Sequence, residues 1–225
     1  GGVGSGKSLT SLSYYYMQNG GSETFLTGGK HKKMKDPKDL YIITTARKRD
    51  TMEWEGELSH FLLSTNPDTS AYKNKVIVDS WNNVKKYKEV KGAFFIFDEQ
   101  RVVGSGEWVK SFLKIAKSNE WILLSATPGD TWSDYIPVFI ANGFYKNKTE
   151  FLREHAVFAR YSKFPKIEKW MGSGKLNKYR RMILVDMKFQ RKTVQHHEDI
   201  YVDYDIATYK DVMRSRWDIY KQEPI

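Results

Sequence analysis

Gly1-Gly2-Val3-Gly4-Ser5-Gly6-Lys7-Ser8 fits the pattern G-x-x-x-x-G-K-[ST] in full, with a helical pattern straight after it. Glycines let a backbone curl until successive N–H groups point inward at one anion. A lysine at the seventh position brings a mobile point charge to the β- and γ-phosphates of a nucleotide, and the hydroxyl that follows can ligate Mg²⁺. Residues 8–18 read as a helix closed by Asn19-Gly20-Gly21, which turns its N-terminus toward the same anion. All eight residues are nucleotide-binding candidates, and Ser8 is also a candidate metal ligand. A glycine-rich turn ahead of a helix is the plainer alternative, and an acidic partner elsewhere in the chain decides between the two.

That partner is Phe94-Phe95-Ile96-Phe97-Asp98-Glu99, an apolar run that ends on two adjacent carboxylates. Asp98 suits a metal ligand, and Glu99 suits a group that positions or polarises an attacking water. Ser125-Ala126-Thr127-Pro128 closes another apolar run, 27 positions after Asp98. The hydroxyls of Ser125 and Thr127 there could bond to the neighbouring carboxylates and sense the γ-phosphate. Short apolar runs at 40–45, 76–79, 93–98 and 121–125 suit strands buried on both faces of a parallel sheet. Residues 108–117 carry helical spacing at Val109, Phe112, Leu113 and Ala116. Alternating strands and helices predict an α/β layered domain with polar residues at the carboxyl ends of its strands.

Composition narrows the function. The chain of 225 residues has no cysteine, which rules out a disulfide framework, a thiolate cluster and cysteine catalysis. Its apolar runs are too short to cross a bilayer, and 40% hydrophobic with 15% aromatic residues argues against disorder. The net charge of +10 is concentrated: eleven basic side chains against Glu168 and Asp186 between Arg160 and Lys192, with a smaller run at 30–38. Such clusters attract a polyphosphate backbone, a solvated face being the alternative. Arg180 and Arg181 are taken from that cluster as nucleic-acid contacts. Gly172-Ser173-Gly174-Lys175 imitates a phosphate loop but lacks the first glycine and the metal-binding hydroxyl. His196-His197, with no cysteine nearby, does not make a zinc site.

After Pro128 the texture changes. Residues 149–161 read as helical, 164–178 as basic and turn-rich, 199–203 as a short strand, and Asp205 as the N-cap of a helix running through Trp217. The expected division is a nucleotide-binding domain at 1–133 and a smaller, basic, mainly helical segment at 134–225. The chain opens on a glycine loop without a Met and reads as a fragment.

Together these motifs resemble the superfamily-two helicases and translocases, most closely the Swi/Snf-like branch and its phage-encoded members. The eight opening residues match motif I, residues 42–47 motif Ia, Asp98-Glu99-Gln100-Arg101 motif II, and Ser125-Ala126-Thr127 motif III. Residues 77–81 match a further segment that touches the nucleic-acid backbone. The resemblance implies a RecA-like lobe over 1–133 that binds ATP and Mg²⁺, with Lys7, Asp98 and Glu99 catalytic and Ser125 and Thr127 coupling. It also implies backbone contacts from Thr45, Arg47, Lys48 and Ser80, nucleic acid (DNA foremost) as partner, and an intracellular location, the host cytoplasm for a phage protein. Phe189-Gln190-Arg191-Lys192, residues 198–204 and a helix with Tyr209 are similar to the stretch leading toward a second RecA-like lobe, whose motifs are not found after residue 133. Gln100-Arg101 departs from the family's usual ending of motif II. A DNA-packaging ATPase and a nucleic-acid-binding module with an inactive nucleotide site are the alternatives.

Overall fold

The structure, a computed structural model, describes residues 6–22, 28, 32–98, 102–126, 129–161, 164–185, 187, 198, 203–218 and 222–224. The chain divides into two compact units, residues 1–189 and 190–225.

The first unit begins with α1 (Lys7–Gln18), β1 (Leu40–Thr44), α2 (Ala46–Asp50), α3 (Glu53–Ser59) and β2 (Val76–Ser80). A 3₁₀ helix (Trp81–Tyr87), β3 (Phe94–Asp98), α4 (Glu107–Ala116) and β4 (Glu120–Leu124) follow. The four strands form one all-parallel sheet in the order β2-β1-β3-β4, flanked by helices. The four apolar runs read from the sequence are these four strands.

Period-two alternation sorts the strand residues onto two faces. Leu40, Ile42, Phe94 and Ile96 pack with Leu12, Tyr15 and Tyr16 of α1 and with Trp54 and Leu58 of α3. Tyr41, Ile43, Phe95 and Phe97 pack with Trp81 and Val84 of the 3₁₀ helix and Val109, Phe112 and Ile115 of α4. Both faces are covered, which is why β1 and β3 are apolar along nearly their whole length.

The far end of α1 is tied to the entrance of β1. Tyr15 donates its hydroxyl to the Lys38 carbonyl at 2.5 Å, and Asn19 accepts from the Lys38 and Lys35 amides at 2.9 and 3.0 Å. Tyr15 also meets Phe94, the first residue of β3, ring to ring. From Tyr15 back to Lys7 is about 12 Å of helix, and β3 is about 13 Å long, so the two elements match in length from the point where Tyr15 meets Phe94. The chain leaves α1 through Gly21, where a Cβ would stand 2.3 Å from the Tyr16 ring and only glycine fits.

The change of texture near residue 133 falls inside the first unit and marks a third cluster. It is built on α5 (Trp132–Ala141), α6 (Lys148–His155) and α7 (Ser173–Ile183), with the antiparallel pair β5 (Ala156–Phe158) and β6 (Ile167–Trp170) between. Tyr135, Phe139, Tyr145, Phe151 and Leu176 are buried together. Two expectations are corrected here. The helix read over 149–161 stops at His155, whose ring is buried between Tyr145 Oη at 2.7 Å and the Met171 carbonyl at 2.9 Å. The next residues then gain strand hydrogen bonds to 167–170. The stretch 164–178 is therefore not a run of turns. Its Gly172-Ser173-Gly174-Lys175 opens α7 from a left-handed Gly172 (φ 65°), and Lys175 pairs with Glu154 at 2.6 Å.

In the second unit Asp205 caps α8 (Ile206–Ser215), accepting from the Ala207 and Thr208 amides. The helix ends at a left-handed Arg216, so Trp217 falls not in the helix but in β7 (Trp217–Asp218), paired with β8 (Glu223–Pro224). Residues 188–192 and 199–202, and with them the Phe189-Gln190-Arg191-Lys192 motif and most of the strand read at 199–203, lie outside the described residues. Among the described residues no helix is long and apolar enough to cross a membrane.

Phe139 is fully buried and meets the rings of Tyr135, Phe144, Tyr145, Phe151 and Tyr179 at centroid distances of 5.7 to 6.3 Å. Phe139→Ala should cost about 3–5 kcal/mol in chemical denaturation. Phe164→Ala, on a ring that is 73% exposed, should stay within about 0.5 kcal/mol.

Candidate active site

All four strands of the sheet point the same way, so their last residues converge at one edge of the layer. Thr44 ends β1, Ser80 ends β2 and Asp98 ends β3; Leu124 ends β4 and delivers Ser125. By alternation Thr44, Ser80 and Asp98 share the face of Ile42, Val78 and Ile96, which is the face that carries α1. Lys7 and Ser8, both half-buried, open α1 on that face, behind a left-handed Gly6 (φ 73°) that turns the chain into the helix.

Asp98 is the centre of the arrangement. It is 1% exposed, the only charged residue of a strand whose other four members are buried aromatics and Ile96. Its Oδ2 accepts from Thr44 Oγ1 at 2.9 Å and from Lys48 Nζ at 3.1 Å. Its carbonyl accepts from the Trp81 indole at 3.0 Å, from the opposite face of the sheet. The carboxylate is thus held from the neighbouring strand and from the helix that follows that strand.

A second acidic group, Asp79, stands one residue before the end of β2. The Asp79 carboxylate accepts from Asn83 Nδ2 at 2.8 Å, the Tyr87 hydroxyl at 2.6 Å, the Ser80 amide at 2.7 Å and Arg49 at 3.2 Å. Burial pushes this carboxyl up, and the hydrogen bonds together outweigh burial and leave it below the ordinary range. The Tyr87 phenol is pushed well above its ordinary value, first by burial and then by its bond to Asp79. Arg49 also reaches Ser80 Oγ at 3.2 Å.

The proposed nucleic-acid contacts fall in two places. Thr45 caps α2, accepting from the Lys48 amide, Arg47 is exposed, Lys48 faces Asp98, and Ser80 accepts from Arg49. Arg180 lies over the Tyr135 ring at 5.5 Å, and Arg181 is exposed on α7; both belong with the third cluster and not with the strand ends. Residues 1–5, Glu99, Gln100, Arg101 and Thr127 lie outside the described residues. Sequence reasoning missed the bonds of Lys48, Thr44 and Trp81 to Asp98, and the whole of the Asp79 network, because none has a signature in spacing.

The donor set can be tested against the implied metal. Among the described residues no three His, Cys, Asp or Glu side chains come together, so an all-protein cage of the calcium kind does not fit. A buried carboxylate at a strand end, on the sheet face that carries α1 and its Ser8, is a donor set that fits Mg²⁺, which takes hard oxygens and fills its remaining positions with phosphate and water.

Asp79→Asn should destabilise the protein by about 1–3 kcal/mol at pH 7, since it leaves buried donors imperfectly matched. A carboxyl with a depressed folded pKa gives stability that is present above its unfolded pKa, about 3.9, and lost as pH falls through the folded one. The gap between variant and parent should therefore narrow below about pH 4 in urea melts taken across pH.

No protein-family model matches the chain, and no curated protein matches it; the chemistry of the strand ends has to be read from its own residues.

Proposed function

We propose that residues 1–133 form the RecA-like nucleotide-binding lobe of an ATP-driven motor on nucleic acid, of the superfamily-two helicase and translocase kind. One observation carries the reading: the helix opened by Lys7 and Ser8 lies on the sheet face where the buried Asp98 ends β3. A phosphate loop and an acidic strand end are far apart in sequence, and only a nucleotide between them makes use of both.

In this reading the amides of the loop and of the first turn of α1 bind the phosphates, and Lys7 orients the β- and γ-groups. Ser8 and Asp98 would hold Mg²⁺, which when bound neutralises charge on the phosphate oxygens. Thr44 holds the Asp98 side chain and Trp81 its backbone, which keeps the carboxylate aimed. Glu99, next in the chain, positions the attacking water and takes up its proton. Ser125 and Thr127 couple the γ-phosphate to the rest of the lobe. The basic residues of α2 and α7 meet a nucleic-acid backbone without reading its sequence.

Lys7→Ala should abolish binding of Mg-ATP in calorimetry, whereas Glu99→Gln should bind and fail to hydrolyse. Unchanged nucleotide affinity in Lys7→Ala would sink the assignment.

Affinity for DNA of any sequence should fall steeply with salt. Replacing the exposed Lys178 and Arg181 by Glu should flatten the log–log salt slope by about 0.9 for each duplex phosphate that is no longer neutralised. A salt-independent affinity would leave these charges as a solvated face.

A further inference from the structure

Two neighbouring residues of α2 hold two different carboxylates. Arg49 reaches Asp79 and Ser80 at the end of β2, and Lys48 reaches Asp98 at the end of β3. The two attachments differ in kind. Asp79 has three further donors in Asn83, Tyr87 and the Ser80 amide, and a planar guanidinium on a satisfied carboxylate is a fixed anchor. Asp98 receives Lys48 on Oδ2, the oxygen that already accepts from Thr44. An ammonium is a compact point charge on a flexible stem, able to leave by bond rotation without moving the backbone.

Lys48 is also where a metal would have to compete. Its ammonium stands 3.1 Å from the one carboxylate oxygen bonded by Thr44, in a pocket where the Asp98 side chain is 2% exposed. Mg²⁺ would sit about 2.0–2.1 Å from a carboxylate oxygen. A doubly charged ion and an ammonium crowded against one small buried carboxylate repel each other in a medium of low dielectric constant.

We propose that Lys48 acts as a resident cation at Asp98: it neutralises the carboxylate while the nucleotide site is empty and is displaced when Mg-nucleotide arrives. The inference rests on the reading of Asp98 as the metal carboxylate. It adds that the metal affinity of the site is set by a competing side chain, and that metal binding detaches Lys48 from Asp98 while Arg49 keeps its bond to Asp79. The consequence for a motor is direct. Arg47, Lys48 and the Thr45 cap lie on the segment assigned to the nucleic-acid backbone, so one lysine is withheld from that track until nucleotide is bound.

The test titrates Mg²⁺ into protein with a fluorescent, non-hydrolysable ATP analogue and reads binding by anisotropy, for the parent and for Lys48→Met. Removing the competitor should lower the half-saturating Mg²⁺ by about tenfold or more, as expected for loss of a charged hydrogen bond. Without Mg²⁺ the same variant should melt at a lower temperature than the parent, because Asp98 is left without its cation, and Mg-nucleotide should close the gap. Where Lys48→Met fails to fold, Lys48→Gln keeps a donor for Asp98 while removing the charge, and the same shift is expected. An unchanged or raised Mg²⁺ requirement in a folded variant overturns the proposal and leaves the nucleotide site standing. Parent protein that binds the analogue with no dependence on Mg²⁺, or does not bind it, overturns the reading of Asp98 and the proposal with it.

Discussion

A carboxylate buried at the end of an otherwise apolar strand is the constraint around which the sheet is arranged. Taking a charged group out of water costs several kcal/mol even after relaxation, and the cost is met only by donors already in place. Asp98 finds one in Thr44 because β1 and β3 pair in parallel with Ile43 beside Phe97, which brings the two strand ends level. It finds the other because the chain leaves β1 straight into α2, putting Lys48 one helical turn beyond Thr44. A slip of one residue in that register would turn every side chain of the strand to the opposite face. The aromatic core and the charged edge are therefore specified by the same pairing.

The two ends of the sheet do different work. The entrance is fastened by groups that do no chemistry: Tyr15, Asn19 and Lys38 join α1 to β1, and Asn119 donates to the Val90 and Ile115 carbonyls beside β3. The exit gathers the hydroxyls, carboxylates and cations. Such a division puts side-chain-to-backbone ties at the entrance and side-chain-to-side-chain bonds at the exit. The third cluster extends this economy. Its aromatic rings close on one another around Phe139 and owe little to the strand ends, so the first unit contains a second local core after β4.

Much of the sheet was legible in the sequence. Short apolar runs, three of them ending in polar residues, suit strands of a parallel sheet, and all four are strands; β1 and β3 are buried on both faces as expected, whereas β4 is half-buried or exposed up to Leu124. The phosphate-loop pattern announced α1 and its N-terminus. What stayed hidden has a common physical cause. Lys48 and Asp98 are fifty positions apart and Arg49 and Asp79 thirty, and nothing in local spacing says which of several basic residues will meet which acid. Tertiary register decides it. The fate of 156–170 was hidden for a different reason. Val157 and Phe158 suit a helix surface or a strand edge equally well, and burial of His155, not local propensity, ends α6 where it does. The Asp79 network could not be seen either, since an apolar run with one acid near its end looks alike whether that acid is solvated or held by four groups.

The strand order has a consequence for how the chain is made. β1 lies between β2 and β3, and both of its partners are synthesised after it. No strand of this sheet can pair with its successor through a tight hairpin; each pairing waits for a crossover of some length to close. While a ribosome is still producing residues 45–75, the apolar stretch Leu40–Thr44 has neither of its strand partners. That stretch is apolar along almost its whole length, and α1 and α3 are the covers made before β2 or β3. Assembly of this sheet should therefore begin as helix against strand, with the strand-to-strand ladder closing last from the middle outward.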